Sequence, residues 1–210
     1  MFRRELLRGG TAGGVVALAG CLGVPSEPEF REGFEDGIGE WVANAAIGPE
    51  VDLEAFDWVV DVSDREASTG DRSLRIWNEG DYDDGVTWAV HPVSVEPERQ
   101  YRTTVTAQFW SESESFNTLR DAGMRLGPEP PSVEEDFPQP GVNTTDLGET
   151  AYGGLREPLW LTDGWREYRF EWTTPALSSE TLYVALGTSV IWEGDATHFV
   201  DDVTVSFEER

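Results

Sequence analysis

The stretch that most constrains the fold of this chain is the apolar run near its C-terminus, from Thr197 to Phe207. Alternate residues in this run are large and apolar, which predicts a strand with one face in a core. Two adjacent acids, Asp201 and Asp202, interrupt it. Carboxylates are disfavoured inside strands, and a buried one needs a hydrogen-bonding partner or a metal. The pattern therefore suggests a β-sandwich whose last strand carries a calcium staple. The predicted core-facing side chains are Phe199, Val203, Val205 and Phe207.

The net charge of the chain limits the classes of molecule that it can bind. The 210 residues carry a formal charge of −26 from 41 acids and 15 bases, and every base is Arg. An acid-rich, Lys-free composition is typical of halophilic proteins, although an acidic surface can also serve solubility alone. We do not expect a nucleic-acid partner, because phosphate binding needs a basic face. The nine Trp, ten Phe and five Tyr are enough to fill a core, which argues against disorder.

Residues 1–21 resemble an export signal. Arg3 and Arg4, followed by two leucines, resemble a twin-arginine (Tat) signal, and the apolar stretch after them is too short to span a bilayer. The segment ending Leu18-Ala19-Gly20-Cys21 resembles a lipobox, which implies lipidation of Cys21. Since Cys21 is the only cysteine, it cannot form an internal disulfide.

The predicted organisation follows from that signal. Residues 22–29 carry Pro, Ser and Glu and predict a short tether. Two lipid chains hold a protein stably on a membrane, whereas one does not. We therefore expect residues 30–210 to form one domain on the extracellular face of the cell membrane, anchored through Cys21.

The domain shows many strand patterns and almost no helix pattern. Short alternating or β-branched runs are separated by Gly-, Asp- and Pro-containing turns, which predicts an all-β sandwich. Residues 126–161 interrupt this rhythm with Pro-rich segments and are predicted to be an irregular insert. The predicted strands cover 58–62, 73–77, 86–90, 101–110, 123–126, 166–172, 181–187 and 197–207.

Several motifs in order give the chain a family resemblance. They are Gly33-Phe34-Glu35, the segment Ser68-Thr69-Gly70-Asp71-Arg72-Ser73-Leu74, Tyr101, Gly164-Trp165-Arg166-Glu167-Tyr168, and Phe199-Val200-Asp201-Asp202-Val203. In that order they resemble the galactose-binding-like jelly rolls, in particular carbohydrate-binding modules allied to families 4, 9 and 22. The resemblance covers roughly residues 30–207, and the insert has no counterpart in it.

The resemblance implies a structural Ca²⁺ that joins the first and last strands. Such an ion needs several carbonyl and carboxylate oxygens. The alternative is that the acids of the closing pair only cap turns. The ligands that the resemblance implies are Glu35, Ser68, Asp71, and Asp201 or Asp202.

A sugar site would present aromatic rings flanked by polar side chains. Gln108 and Trp110 have the outward parity of the long strand, and Arg125 and Tyr183 have the outward parity of strands that could neighbour it. These four residues are the predicted platform. Trp192 and Trp160 lie near loops and are weaker alternatives. The tryptophans expected in the core are Trp77, Trp88, Trp165 and Trp172.

No catalytic constellation is predicted. Two histidines are too few for a multi-His zinc site, and there is no Gly-x-Ser-x-Gly elbow. A carboxylate pair for glycoside hydrolysis stays open among so many acids. The preferred prediction is a non-catalytic module that binds a carbohydrate polymer or a cell-envelope glycan. The alternatives are a surface-layer or envelope interaction protein without a sugar site, and a polysaccharide-active enzyme.

Overall fold

The fold is all-β, as the sequence predicts. It is known from a computed structural model that describes residues 29–210, except 50, 83, 113–119, 160–163 and 193. Three short 3₁₀ turns, at Leu53–Ala55, Glu134–Asp136 and Thr144–Asp146, are the helical elements of the described part. Its strands are β1 (Glu29–Glu32), β2 (Val42–Ile47), β3 (Trp58–Ser63), β4 (Ser73–Asn78), β5 (Gly85–Ser94), β6 (Tyr101–Ser111), β7 (Asp121–Gly127), β8 (Gly153–Pro158), β9 (Arg166–Thr173), β10 (Thr181–Val190) and β11 (Ala196–Glu209).

These strands form two antiparallel sheets packed face to face. The six-stranded sheet has the order β3-β4-β11-β6-β9, and β1 also pairs with β11. The five-stranded sheet has the order β2-β5-β10-β7-β8. Because β1 pairs with the C-terminal half of β11 and β4 with its N-terminal half, the last strand lies at the centre of its sheet. This arrangement is the predicted β-sandwich.

Alternate side chains of the two sheets fill the space between them. Leu74, Val105 and Phe170 come from the six-stranded sheet and are fully buried. Met124 and Val184 meet them from the five-stranded sheet and are also fully buried. The alternation that marked these strands in the sequence is therefore the alternation between core and outer faces.

The closing strand departs from the prediction at one point. Residues 202 and 203 of β11 both lie opposite residue 107 of β6, because the pairing register shifts between Asp201 and Thr204. This β-bulge, with Asp202 at φ 48°, inverts the side-chain parity of the strand. Phe199 was predicted to face the core, and that prediction is wrong. Its ring lies on the outer face, and Val200 faces the core instead.

Three strands were missed by the sequence analysis. β1 is short and carries three charged residues, and β2 is rich in Ala, which has a low strand propensity. β8 lies inside the segment predicted to be irregular and pairs with β7 along six residues. The insert of residues 126–161 therefore supplies an edge strand as well as loops.

The rest of the insert covers the outer face of the five-stranded sheet. Phe137, which is buried, packs edge-on against Trp88 of β5 with ring centroids 5.6 Å apart. Val86, Val90 and Ala185 complete this second apolar cluster. Trp88 is buried as predicted, but it lies under the insert and not between the sheets.

The predicted signal peptide with Cys21, residues 22–28 of the predicted tether, and Trp160 lie outside the described residues. Within the described part, no helix has the length and apolar character needed to cross a bilayer.

Gly153 allows β8 to lie close to β9. A Cβ at this position would come within 2.3 Å of the Cβ of Trp172. We expect Gly153→Ala to destabilise the domain by about 1–3 kcal/mol through overpacking, which lowers the melting temperature by roughly 2–12 °C. Gly148→Ala is the matched control, because a Cβ there would meet no atom within 4 Å. Equal melting temperatures for the two variants would contradict this packing.

Candidate ligand-binding and calcium sites

The four residues of the predicted platform do not share a surface. Gln108 and Trp110 lie on the outer face of the six-stranded sheet, whereas Arg125 and Tyr183 lie on β7 and β10 of the opposite sheet. The neighbours of β6 are β11 and β9. The prediction that the four side chains form one platform is wrong, because parity within a strand does not reveal which sheet the strand joins.

Arg125 is buried beneath the insert. It is only 6% exposed, its guanidinium lies 4.7 Å from the centroid of the Tyr152 ring, and it donates to the carbonyl oxygen of Glu129. Burial lowers the pKa of this guanidinium from its ordinary value. Tyr183 is half-buried on the same face and packs against the cluster of Trp88 and Phe137.

Trp110 belongs to an aromatic cluster on the opposite outer face. Its half-buried ring stacks on Phe199, with centroids 5.6 Å apart and planes inclined by 20°, and lies 6.3 Å from the ring of Trp165. The guanidinium of Arg65 lies 5.8 Å from the Phe199 ring. Trp165, like Trp77, is partly exposed, so the prediction that these two are core residues is wrong. Ligand binding by Gln108 and Trp110 stays a prediction.

Trp192 is the side chain best placed to meet a ligand. It follows β10 and is 72% exposed, more than any other large apolar side chain of the described residues. Two adjoining grooves of about 320 Å³ each meet at its ring, and Asp81 lines both. The first groove is completed by Ile47, Gly48, Pro49, Val51, Tyr82 and Asp84, and the second by Gly80 and Gly194.

The walls of this cleft, which we call the Trp192 cleft, are held by the body of the domain. The ring of Tyr82 packs edge-on against the buried Phe56, with centroids 6.2 Å apart. Asp84 adopts φ 62°, and a Cβ at Gly48 would come within 2.9 Å of its Oδ2 atom. An Asp tolerates this left-handed conformation better than most residues do. The cleft thus combines one exposed ring with carboxylates on its wall.

Only weak patterns in the sequence indicate this cleft. Trp192 is only a weaker alternative in the sequence, and the acids at 81, 83 and 84 have the pattern of a solvated turn. A Trp directly after an apolar strand and before a Gly-Asp turn is the one pattern that favours an exposed ring. The sequence could not indicate that the loop around Asp81 lies beside the loop around Trp192.

A larger cleft of about 620 Å³ lies where β6 begins, between β9 and the insert. Its polar wall is already paired, since Glu171 accepts hydrogen bonds from Arg102 and Arg169 at 2.6 Å. Its tryptophan, Trp172, is buried and donates its indole N–H to the carbonyl oxygen of Thr150. This cleft offers no exposed ring for a sugar, and we therefore favour the Trp192 cleft.

The acids predicted to bind calcium lie together at the join of the first and last strands. Asp201 is fully buried, and its Oδ2 accepts the backbone N–H groups of Ser68 (2.8 Å) and Thr69 (3.1 Å). Its Oδ1 accepts the N–H of Asp202. Burial outweighs these hydrogen bonds and raises the pKa of the Asp201 carboxyl.

Glu35 holds the other end of the same loop. Its Oε1 accepts the backbone N–H groups of Asp71 (2.8 Å) and Arg72 (3.0 Å). Gly70 passes so close that a Cβ there would lie 2.2 Å from Oε1, and its φ of +66° also favours glycine. The loop 68–72 is thus gripped by one carboxylate from each end of the domain, an arrangement we call the carboxylate clasp.

The clasp as it stands does not fit a Ca²⁺ site. Calcium takes six to eight oxygen ligands, but N–H groups and not carbonyl oxygens point at Glu35 and Asp201. Within the described residues, no three His, Cys, Asp or Glu side chains form a group suited to a metal. Calcium binding stays a prediction. The hydrogen bonds of the clasp explain the positions of Glu35 and Asp201 without a metal.

Comparison with known proteins places this fold among the carbohydrate-binding modules. The sequence matches no protein-family model and no curated protein. One similar solved structure is a β-sandwich carbohydrate-binding module described as having promiscuous specificity, with a TM-score of 0.52 and 18% identity over 84% of this chain. The match spans 60% of that module's chain.

Two further structures support the same architecture. The family 22 xylan-binding domain of a Paenibacillus barcinonensis protein has a TM-score of 0.50 and 14% identity, with 87% of this chain and 96% of that chain covered. An arabinose-bound α-L-arabinofuranosidase has a TM-score of 0.53 and 10% identity, over 87% of this chain but 27% of the enzyme. At these identities the shared property is the fold, and the chain therefore has the β-sandwich fold of carbohydrate-binding modules.

Proposed function

We propose that this protein is a non-catalytic module that binds a carbohydrate polymer or a cell-envelope glycan in the Trp192 cleft. The observation that carries the proposal is the 72% exposure of Trp192 at the meeting point of two grooves. An exposed indole ring between two grooves offers a flat apolar surface on which a ligand ring can stack. The fold shared with carbohydrate-binding modules supports the same class of ligand.

The chemistry of the cleft suits a sugar. The apolar C–H face of a pyranose ring can stack on the indole ring, while its hydroxyl groups need hydrogen-bond acceptors around the edge. Asp81 and Asp84 supply carboxylate oxygens on the cleft wall, and Tyr82 supplies a second ring. Each group has a role in holding a sugar, and the binding requires no catalytic residue.

Two other functions are distinguishable from this one. An envelope or surface-layer interaction protein would use Trp192 to pack against another protein and would bind no polymer. A polysaccharide-active enzyme would release reducing ends from its substrate. The match to an arabinofuranosidase extends over only 27% of that enzyme, so it gives little support to an enzymatic function for this protein.

We also propose that the module works outside the cell on a lipid anchor. The support is the twin-arginine and lipobox pattern that ends at Cys21. The formal charge of −26 suits an acidic, halophilic surface and would keep the domain away from anionic headgroups. A short tether before β1 would then present the domain to glycans at the cell surface.

We propose that the carboxylate clasp links the first and last strands to the loop 68–72 without calcium. The support is that five backbone N–H groups occupy three of the four carboxylate oxygens of Glu35 and Asp201. Hydrogen bonds to a carboxylate are stronger than those between neutral groups. They offset part of the cost of burying Asp201.

Trp192→Ala should abolish binding to the recognised polymer. Retardation in affinity gels that contain neutral polysaccharides, run in dilute and in molar salt, measures this directly. Trp110→Ala is the matched control, since it removes the same side chain from the opposite sheet; it should lower stability but keep the retardation. Retardation lost only in Trp110→Ala would move the site to the Gln108 surface, and no retardation on any polymer would favour a protein partner.

Cys21→Ser should release the protein from the membrane fraction into the medium, because the thiol that takes the lipid is gone. Cell fractionation with immunodetection measures the distribution. Ser26→Ala, in the tether, is the control and should stay with the membrane. A Cys21→Ser protein that remains membrane-bound would rule out this anchor.

Asp201→Asn should destabilise the domain by about 1–3 kcal/mol, because the buried N–H groups of Ser68 and Thr69 lose a charged acceptor. Asp36→Asn makes the same charge change at an exposed acid and should leave the melting temperature unchanged. A chelator should have no effect on the wild-type melting temperature. A fall of several degrees on chelation, reversed by Ca²⁺, would instead establish the calcium site.

A further inference from the structure

The Trp192 cleft lies at one end of the sandwich. Its lining residues belong to the segment after β2, the turn between β4 and β5, and the turn between β10 and β11. Ile47, which ends β2, and Val190, which ends β10, both pair with Gly85, the first residue of β5. β11 begins opposite the last residue of β4. These strands therefore all begin or end beside the cleft, and we call this the cleft end of the domain.

The two turns that carry the cleft are packed against each other. The backbone N–H of Gly80 donates to the Oδ1 atom of Asp195 at 3.4 Å. A Cβ at Gly80 would come within 2.1 Å of the backbone of Gly194. The position of the cleft is thus set by the strand ends and by direct contact between the turns that follow them.

The first and last described residues lie at the other end of the sandwich. Glu29 begins β1 opposite Ser206 of β11, and β1 then runs toward the cleft end as far as the partner of Val203. β11 runs the other way and ends at Glu209, which pairs with Tyr101 at the start of β6. The segment before β1 therefore enters the domain at the end opposite the cleft, which we call the terminal end.

The two ends are farther apart than the predicted tether can reach. The stretch of β11 from Ala196 to Ser206 spans about 33 Å, at about 3.3 Å of rise per residue. The cleft lies beyond Ala196, because Trp192 is in the turn before β11. The chain from Cys21 to Glu29 covers at most about 28 Å when fully extended. A lipid on Cys21 therefore cannot reach the cleft end.

The charges at the two ends also differ. The cleft is carried by residues 48–57, 79–84 and 191–195, and every charged side chain described in these segments is an acid. At the terminal end, Arg31, Arg99 and Arg102 lie among the acids, and each forms an ion pair with a glutamate. An anionic bilayer therefore repels the cleft end more strongly than the terminal end. The acids at the cleft end are Asp52, Glu54, Asp57, Glu79, Asp81, Asp84 and Asp195.

We infer that the protein binds its polymer on the side of the domain that faces away from its own membrane, an inference that rests on the proposed cleft and the proposed lipid anchor. The terminal end lies toward the bilayer, and the Trp192 cleft opens in the opposite direction. The ligand is then a polymer in the medium or on an opposing surface. Sugar headgroups of the lipids around the anchor are not within reach of the cleft.

Energy transfer from a labelled thiol to an acceptor lipid measures the orientation directly. Cys21 is the only cysteine, and the proposed lipid consumes its thiol, so a single introduced cysteine takes the label alone. Glu54→Cys puts the label at the cleft end, and Glu180→Cys, just before β10, puts it at the terminal end. Both changes remove one exposed glutamate, so the two variants are matched in charge.

The labelled, lipidated full-length chains are placed in vesicles of phosphatidylcholine and phosphatidylglycerol. Transfer from the Glu54→Cys label should be at least about twofold weaker than transfer from the Glu180→Cys label, because the two ends lie about 33 Å apart. Equal transfer from the two labels, or stronger transfer from the cleft end, overturns the inference.

Retention of vesicles on polysaccharide particles tests the consequence for binding. The probes are particles of insoluble xylan, cellulose and chitin, mixed with vesicles that carry the unlabelled wild-type chain. Particles that bind the full-length Cys21→Ser protein free in solution should also retain these vesicles. Trp192→Ala should abolish retention, whereas vesicles that carry Trp110→Ala, the matched control, should be retained.

The outcomes separate this inference from the proposed function. If free Cys21→Ser protein binds a polymer through Trp192 but the same particles do not retain the vesicles, the orientation is wrong and the proposed cleft stands. If neither form binds any of the polymers, the proposed cleft is wrong, and the inference is overturned with it. A wild-type chain that takes no lipid at Cys21 overturns the anchor and therefore the inference, and leaves the cleft unaffected.

Discussion

The domain depends on two carboxylates that hold one loop. Glu35, just after the first strand, and Asp201, in the last strand, both accept backbone N–H groups of residues 68–72. Asp201, which is fully buried, is the acceptor for the backbone N–H groups of Ser68 and Thr69. The carboxylate clasp therefore joins the beginning and the end of the domain through charged acceptors, which form stronger hydrogen bonds than neutral groups.

The β-bulge in β11 makes this clasp possible. By placing two residues opposite one, it turns Asp201 toward the loop and returns Val203 and Val205 to the core. The same inversion puts Phe199 on the outer face, where it stacks with Trp110. One local irregularity thus decides the environment of both the acids and the aromatic cluster.

The insert has an equally direct effect on where a ligand can bind. Phe137 covers Trp88 and closes the outer face of the five-stranded sheet, so Arg125 and Tyr183 are withdrawn from the surface available to a polymer. Trp192 stays exposed, in a cleft whose described lining contains no residue of the insert.

The sequence by itself determined the all-β class, most of the strands, and the association of Glu35 and the closing acid pair with the loop 68–72. Those features follow from period-two alternation, turn residues and an ordered set of motifs, which are local in the chain. Tertiary structure alone decided the rest. Strand parity tells which side of a strand Trp110 or Tyr183 occupies but not which sheet the strand joins, and the Trp192 cleft exists because loops distant in sequence pack side by side.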